Sequence, residues 1–320
     1  MASNPVDQAS NSEDLVAAVD LGSNSFRMLV AQAVNTSSGT QLRPIDTLRE
    51  SVRLAAGLTE NKLLGNDAYQ RGLTAIRRFG ERIRGFDPAN VRAVATNTLR
   101  VAKNAQQFVE DAQQALGFPI EVIAGVEEAR LIYIGAAHEV QAVQGNRLVV
   151  DIGGGSTEFV FGNDQVEAAK SQNIGCVRMS ERHFTSAPPS NHEIESATSD
   201  INKAIMEAST IVPITSARTV IAVAGTATTV AAAALDLGEY DRYSIHLSRI
   251  SAAKTHSVSD MFLKMKRNEI SSLGYMHPGR VDVIAAGSLV LDRIMEISGA
   301  EEFVASESDI LDGMAWSLAN

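Results

Sequence analysis

Two short apolar runs along the chain share one order. Val16-Ala17-Ala18-Val19 ends in Asp20, a turn of Gly22, Ser23, Asn24 and Ser25 follows, and Phe26 opens the next apolar run. Val149-Val150 ends in Asp151, Gly153, Gly154, Gly155, Ser156 and Thr157 follow, then Glu158 and another apolar run. Each pattern predicts strand, tight turn, strand. Between the two copies the pattern predicts a third strand over 41–54 and a helix over 66–84, carried by Leu73, Ile76, Phe79 and Ile83 and ended by Gly85. A strand over 91–96, a helix over 104–116 stopped by Gly117 and Pro119, a short strand over 120–123 and a helix over 126–137 complete the first half. The second half predicts strands at 147–151, 158–162 and 166–173, then a Pro188-Pro189-Ser190 loop before a helix over 192–209. A buried strand over 219–224, a Gly/Thr turn over 225–229, a small-residue helix over 230–235, a long helix over 278–298, a strand at 303–305 and a closing helix over 310–318 follow. Strands alternating with helices predict an α/β fold.

Length divides this picture. A chain of 320 residues exceeds one small core, so two domains are expected. The boundaries read as a disordered tail over 1–14, an N-terminal domain over 15–131 and a C-terminal domain over 132–320, with the closing helix free to pack back on the first domain. A net charge of −10 argues against nucleic acid as a partner. The single cysteine, Cys176, excludes a disulfide within the chain, and no Cys/His metal spacing occurs. Residues 1–14 lack the basic and apolar regions of a signal peptide, and no run of 18 apolar residues occurs, so no membrane span and a cytoplasmic location are expected.

The chemistry gathers at the two turns. Glycine lets backbone N–H groups approach an anion, and hydroxyls suit phosphate oxygens. Gly22, Ser23, Asn24 and Ser25, with Gly153, Gly154, Gly155, Ser156 and Thr157, are therefore the candidate phosphate-binding residues. A Walker A loop does not fit, because no lysine is present and a strand rather than a helix follows. Asp151 and Glu158, with Asp20 contributing directly or orienting a water, are candidate ligands for Mg²⁺ or Mn²⁺, which take few carboxylates beside substrate phosphates. Glu128 is the candidate general base: it opens a helix, and Leu131, Ile132 and Gly135 place its face inward. Glu127 shares its face with Arg130 and reads as an exposed pair. Arg100 follows a strand where it can fork onto a phosphate, and Arg27, Lys170 and Arg178 are weaker candidates.

Taken together, the segment from Asp20 to Phe26, Thr98-Leu99-Arg100, Gly125-x-Glu127-Glu128-Ala129-Arg130-Leu131-Ile132 and the segment from Asp151 to Glu158 closely resemble the exopolyphosphatase / guanosine pentaphosphate phosphohydrolase family, within the actin–sugar kinase–Hsp70 superfamily. The resemblance runs from about residue 15 to 318. It implies two RNase H-like (actin-like ATPase) α/β domains that close over a phosphate-binding cleft, and a Mg²⁺-dependent hydrolase that releases terminal phosphate from inorganic polyphosphate. It places the catalytic glutamate at Glu128 and the counterpart of Arg100 near the cleft. It also matches Arg280 and Asp282 to a family segment without assigning them chemistry. The extent is that of the short two-domain form, without the helical module of longer members, which shifts weight toward shorter polymers. Guanosine pentaphosphate (pppGpp) is the alternative substrate. More distant alternatives are an ATP-dependent small-molecule kinase, a non-catalytic nucleotide-binding protein and a guanosine polyphosphate sensor. A homodimer is the default expectation.

Overall fold

The computed structural model describes residues 15–36, 39–139, 145–163 and 165–319. The tail expected over 1–14 lies outside them.

Two sheets are built on one plan. In the first, β1 (Leu15–Leu21), β2 (Phe26–Thr36) and β3 (Gly39–Glu50) form an antiparallel meander, and β4 (Val91–Ala95) and β5 (Ile120–Val122) run parallel to β1, giving the order β3-β2-β1-β4-β5. In the second, β6 (Arg147–Ile152), β7 (Thr157–Gly162) and β8 (Val166–Gln172) repeat the meander. There β9 (Thr219–Val223) and β11 (Glu302–Ala305) take the parallel positions and β10 (Arg249–Ser251) closes the edge, in the order β10-β11-β9-β6-β7-β8. The repeated turn motif thus joins the first two strands of each sheet.

The helices are α1 (Asn66–Arg82), α2 (Asn97–Val101), α3 (Ala105–Leu116), α4 (Gly125–Glu139), α5 (Cys176–His183), α6 (Asn191–Ser209), α7 (Ala224–Ala234), α8 (Arg242–Ile245), α9 (Ala252–Lys264), α10 (Arg267–Ser271), α11 (Ile284–Ser298) and α12 (Ile310–Ala319). Gly85 and Gly117 both take positive φ where the first two long helices end. Phe26, Phe79 and Phe108 are fully buried among α1, α3 and the first sheet, and Phe159, Phe262 and Phe303 fill the second half. A further core lies between the two sheets, where Val16, Ala18 and Val94 share one cluster with Val149, Val160 and Ile221 through Leu131, Ile132 and Met314. Two helices therefore stand between the sheets, α4 from the first half and α12 from the end of the chain. They cross without room for side chains: a Cβ on Gly135 would meet the Asp309 carbonyl, and one on Gly313 the Leu131 carbonyl.

Three segments differ from the sequence expectation. Residues 225–229 are part of α7, not a turn before it, because Ala224 takes the positive φ (62°) and the Thr229 hydroxyl folds back onto the Gly225 carbonyl at 2.7 Å. The helix expected from 278 begins at Ile284: Pro278–Arg280 is a separate single turn, capped by the His277 ring, which accepts the Gly279 N–H. No element was expected over 236–277, yet β10 and α8, α9 and α10 lie there, and the short helices α2 and α5 were also not anticipated. Apart from α9, with 13 residues, these elements have eight residues or fewer, too short for a periodic signal.

Candidate active site

The two glycine turns meet at the floor of a cleft of about 610 Å³. A Cβ on Gly154 would lie 3.2 Å from the Asn24 Cβ, and one on Gly155 would lie 3.3 Å from the Ser23 Oγ. Absence of side chains at these positions lets the hairpins touch. Each turn is also held by its carbonyls. Arg53 and Ala55 N–H groups donate to the Asn24 and Ser23 carbonyls (2.8 and 2.9 Å). On the other side Cys176 N–H donates to Gly153 and Val177 N–H to Gly154 (2.8 and 3.0 Å), while Arg178 Nε donates to Gly155 (2.9 Å). In a trans peptide the N–H points opposite to the C=O. The N–H groups of Asn24 and Ser25, and of Gly154, Gly155 and Ser156, are thereby turned away from these anchors. Such a row of N–H groups is an anion cradle. The Ser23 hydroxyl is fixed by Thr98 Oγ1 at 2.8 Å.

Asp20, Asp151, Glu128 and Glu158 line the same cleft. Asp151 and Glu158 are cross-strand partners of β6 and β7, so the hairpin itself sets them side by side. Ser171, on β8, donates its hydroxyl to Glu158 Oε1 at 2.7 Å. Glu128 sits in the first turn of α4, and Arg100 Nη1 donates to its Oε2 at 2.6 Å and to the Ile123 carbonyl at 2.9 Å. Glu127 points the other way, to Arg130 and Arg92. Burial pushes Asp151 up to about 8, with Asp309 adding to the effect and Arg27 opposing it. Burial, then Glu128 and Asp151, raise Glu158 well above the ordinary range. Burial also raises Glu128, against the pull of Arg100, and Asp20, against the pull of Arg27.

Arg27, on β2, lies between Asp20, whose Oδ2 it meets at 2.7 Å, and Asp309 at the start of α12. Burial alone would lower the guanidinium pKa, but Asp309 and Asp20 outweigh it and hold Arg27 charged. Two further guanidiniums, of Arg280 and Arg49, line the cleft. Arg280 is 8 % exposed, and its side chain meets the Thr229 hydroxyl at 2.6 Å and lies over the Tyr240 ring. A Cβ at Gly225 would occupy the space its guanidinium takes, so Gly225 admits Arg280 to the cleft. Arg49 faces it from β3, its pKa lowered to about 10 by burial and by the nearby Arg280 and Arg27. Among the described residues neither Arg49 nor Arg280 has a carboxylate partner.

Of the residues expected at the site, Gly22, Ser23, Asn24, Ser25, Gly153, Gly154, Gly155, Ser156, Asp20, Asp151, Glu128 and Glu158 come together in the cleft. Thr157 does not: its hydroxyl is buried and donates to the Ile174 carbonyl, bracing the turn. Arg100 stands behind Glu128 rather than in the lining. Arg178 holds the second turn, and Lys170 is outside the cleft. Arg49, Asn97, Tyr240 and Asp309 line the cleft without having been expected there, since nothing around them in sequence forms a motif.

Whether a divalent cation fits can be judged from the acids. Among the described residues no three His, Cys, Asp or Glu side chains converge tightly enough to bind an ion alone. Mg²⁺ needs only one or two carboxylates, with waters and substrate oxygens completing its shell. Asp20 Oδ1 is buried without a hydrogen-bond partner, and Asp151 and Glu158 are crowded acids held above their ordinary range. Unshared lone pairs and excess negative charge suit such an ion.

Comparison with known proteins adds four findings. The model of the Ppx/GppA phosphatase family matches residues 29–319. Exopolyphosphatase 2 of Mycobacterium tuberculosis is 37% identical over 313 residues, covering 95% of this chain and 98% of that one. A guanosine-5'-triphosphate,3'-diphosphate pyrophosphatase of Pseudoalteromonas atlantica is 45% identical over 197 residues, 61% of this chain and 38% of that one. Among solved structures, an exopolyphosphatase-like protein superposes with a TM-score of 0.88 at 36% identity, over 95% of this chain and 98% of that one.

Proposed function

The chain belongs to the Ppx/GppA phosphatase family, and from that premise we propose that it is an exopolyphosphatase that releases the terminal phosphate of inorganic polyphosphate. The observation that carries this reading is the make-up of the cleft lining. N–H cradles and carboxylates share one cleft with the guanidiniums of Arg49 and Arg280, which have no carboxylate partner. A polyanion laid along it has its last phosphoryl group between the turns and its remaining phosphates against cations. The whole chain carries −10, so this local gathering of positive charge is what makes an anionic substrate acceptable.

Glu128 accepts a proton from a water that attacks the terminal phosphorus in line. Arg100 occupies Oε2, which leaves Oε1 for that proton. The shortened chain departs with the electrons of the broken P–O bond. N–H groups of Gly154 and Gly155 and the Ser23 hydroxyl hold the transferred group, so positioning and electrostatics supply the rate. Mg²⁺ or Mn²⁺, held by Asp151 and Glu158 with Asp20, would neutralise charge on the phosphoryl oxygens when bound. Removal of divalent ions with a chelator is expected to stop release, and Mg²⁺ to restore it. A cytoplasmic setting is part of the same reading, with Cys176 buried and unbridged.

Glu128→Gln keeps size and burial while removing the basic oxygen. It is expected to lower kcat by about 10²–10⁴-fold with little change in KM. Phosphate release from medium-length polyphosphate measures this, and an unchanged kcat would remove Glu128 as the base. The second reading, a guanosine pentaphosphate 5'-phosphohydrolase, is favoured by Tyr240, an aromatic ring in the cleft lining with Arg280 over it. Release from the nucleotide alone, measured in parallel, would establish that reading instead.

A further inference from the structure

Among the described residues the side-chain amide of Asn97 makes no hydrogen bond to the protein. Asn97 opens α2 directly after β4, and it is 7 % exposed. Its neighbour Thr98, by contrast, uses its hydroxyl on Ser23. An amide held at the cleft wall with its hydrogen-bonding capacity unspent by the fold is free to donate to a group that enters the cleft. The amide stands where the turns meet: a Cβ on Gly155 would lie 3.5 Å from both Cγ and Nδ2 of Asn97. It lines the same cleft as Glu128. One helical turn further on, Arg100 holds the Glu128 carboxylate at 2.6 Å, so α2 aims one residue at the base and another at the junction of the turns.

We propose that Asn97 is a catalytic residue of the phosphohydrolase reaction, its amide N–H donating to a non-bridging oxygen of the phosphoryl group in transfer. The inference rests on the reading given under Proposed function. In that step the water oxygen bonds to phosphorus, its proton passes to Glu128, and the bridging P–O bond breaks toward the shortened chain. Charge spreads over the three equatorial oxygens meanwhile. The second turn's N–H groups serve one side of that plane, and Asn97 serves an oxygen beside Ser23. A neutral donor fits a cleft where acids and guanidiniums are already crowded, since it adds no net charge.

The experiment compares wild type, Asn97→Ala and Asn97→Asp of the full chain with Mg²⁺ and medium-length polyphosphate. Orthovanadate, a five-coordinate phosphoryl mimic, and inorganic phosphate are used as inhibitors. Loss of one transition-state donor is expected to lower kcat by about 10²-fold in Asn97→Ala and at least as much in Asn97→Asp. KM and the inhibition constant for phosphate are expected to stay within about threefold, while that for vanadate rises in step with the loss of kcat. Asp has the size of Asn, so it tests the donor even where Ala disturbs the fold, and thermal melting reports on both variants. A folded Asn97→Asp with kcat and vanadate inhibition within about threefold of wild type would overturn the assignment, as would a rise in KM at constant kcat. Wild type inert on polyphosphate would sink the functional reading, and this inference with it. Active wild type with unaffected variants would sink the inference alone.

Discussion

At the scale of single residues, charge pairing sorts the cleft's ionic groups by role. Arg27 is satisfied by Asp20 and Asp309, and Arg100 by Glu128. Arg49 and Arg280 have no such partner, and burial first, then Arg280 and Arg27, depress the pKa of Arg49. Arg280 is buried without a carboxylate, which is costly, and a phosphate would relieve the cost. Arg280→Met is therefore expected to raise KM for polyphosphate by about 10–100-fold, the value of one charged hydrogen bond, and to change kcat far less. Steady-state kinetics checks it, and an unchanged KM would show that substrate does not reach Arg280. Sequence could flag Glu128, because its face is set by Leu131, Ile132 and Gly135 one and two turns on. It could not flag Asp309, which meets Arg27 across 282 residues of chain.

At the scale of elements, caps and hairpins show how local rules translate into structure. Ser190 caps α6 in a reciprocal box: Glu193 N–H donates to Ser190 Oγ at 3.3 Å, and Ser190 N–H donates to Glu193 Oε2 at 2.7 Å. Thr185 adds its hydroxyl and its N–H to the same carboxylate. Hydrogen bonds from the Thr185 hydroxyl first, then from Ser190 and Thr185 N–H, hold Glu193 down at about 2, against an ordinary value of 4.5. A carboxyl depressed by folding adds stability that is complete above the unfolded value and is lost as pH falls toward the folded one. Glu193→Gln is accordingly expected to lower Tm at pH 7, and the gap between variant and wild type to shrink as pH drops from 4.5 toward 2. Thermal melts across that window test this, and a gap independent of pH would assign the carboxylate no ionic role. The capping signal was legible as a Pro-Pro-Ser loop before a helix. Residues 225–229 were not, because glycine and threonine read as a turn when nothing indicates that small residues are buried on every side of α7.

At the scale of the molecule, two half-sites are complete only when their sheets face each other. The core between the sheets and the close crossing of α4 with α12 fix that relation. Arg27 adds an ionic link from the first sheet to Asp309 at the start of α12. Removing Asp309 leaves Arg27 bound to Asp20 alone and takes away the ionic link to α12. Asp309→Ala is expected to lower Tm for the whole chain in a single transition and to increase the radius of gyration measured by small-angle scattering. Unchanged values of both would show that the apolar crossing alone holds the halves.

The sequence by itself determined the repeated strand–turn–strand units, because an apolar run, an acid and a Gly/Ser turn are local patterns with local physical causes. It determined the α/β class through alternating periods, and the inward face of Glu128 through helical spacing. Only the tertiary structure decided that the two turns touch, since that contact depends on missing side chains at Gly154 and Gly155 meeting Asn24 and Ser23 of a distant hairpin. It alone decided that Arg100 reaches Glu128 rather than standing in the cleft lining, that Thr157 turns inward to Ile174, and that Arg49 and Arg280 line one cleft. Such relations are set by how sheets and helices stack, and electrostatic partnership follows distance in space, which separation along a chain does not encode.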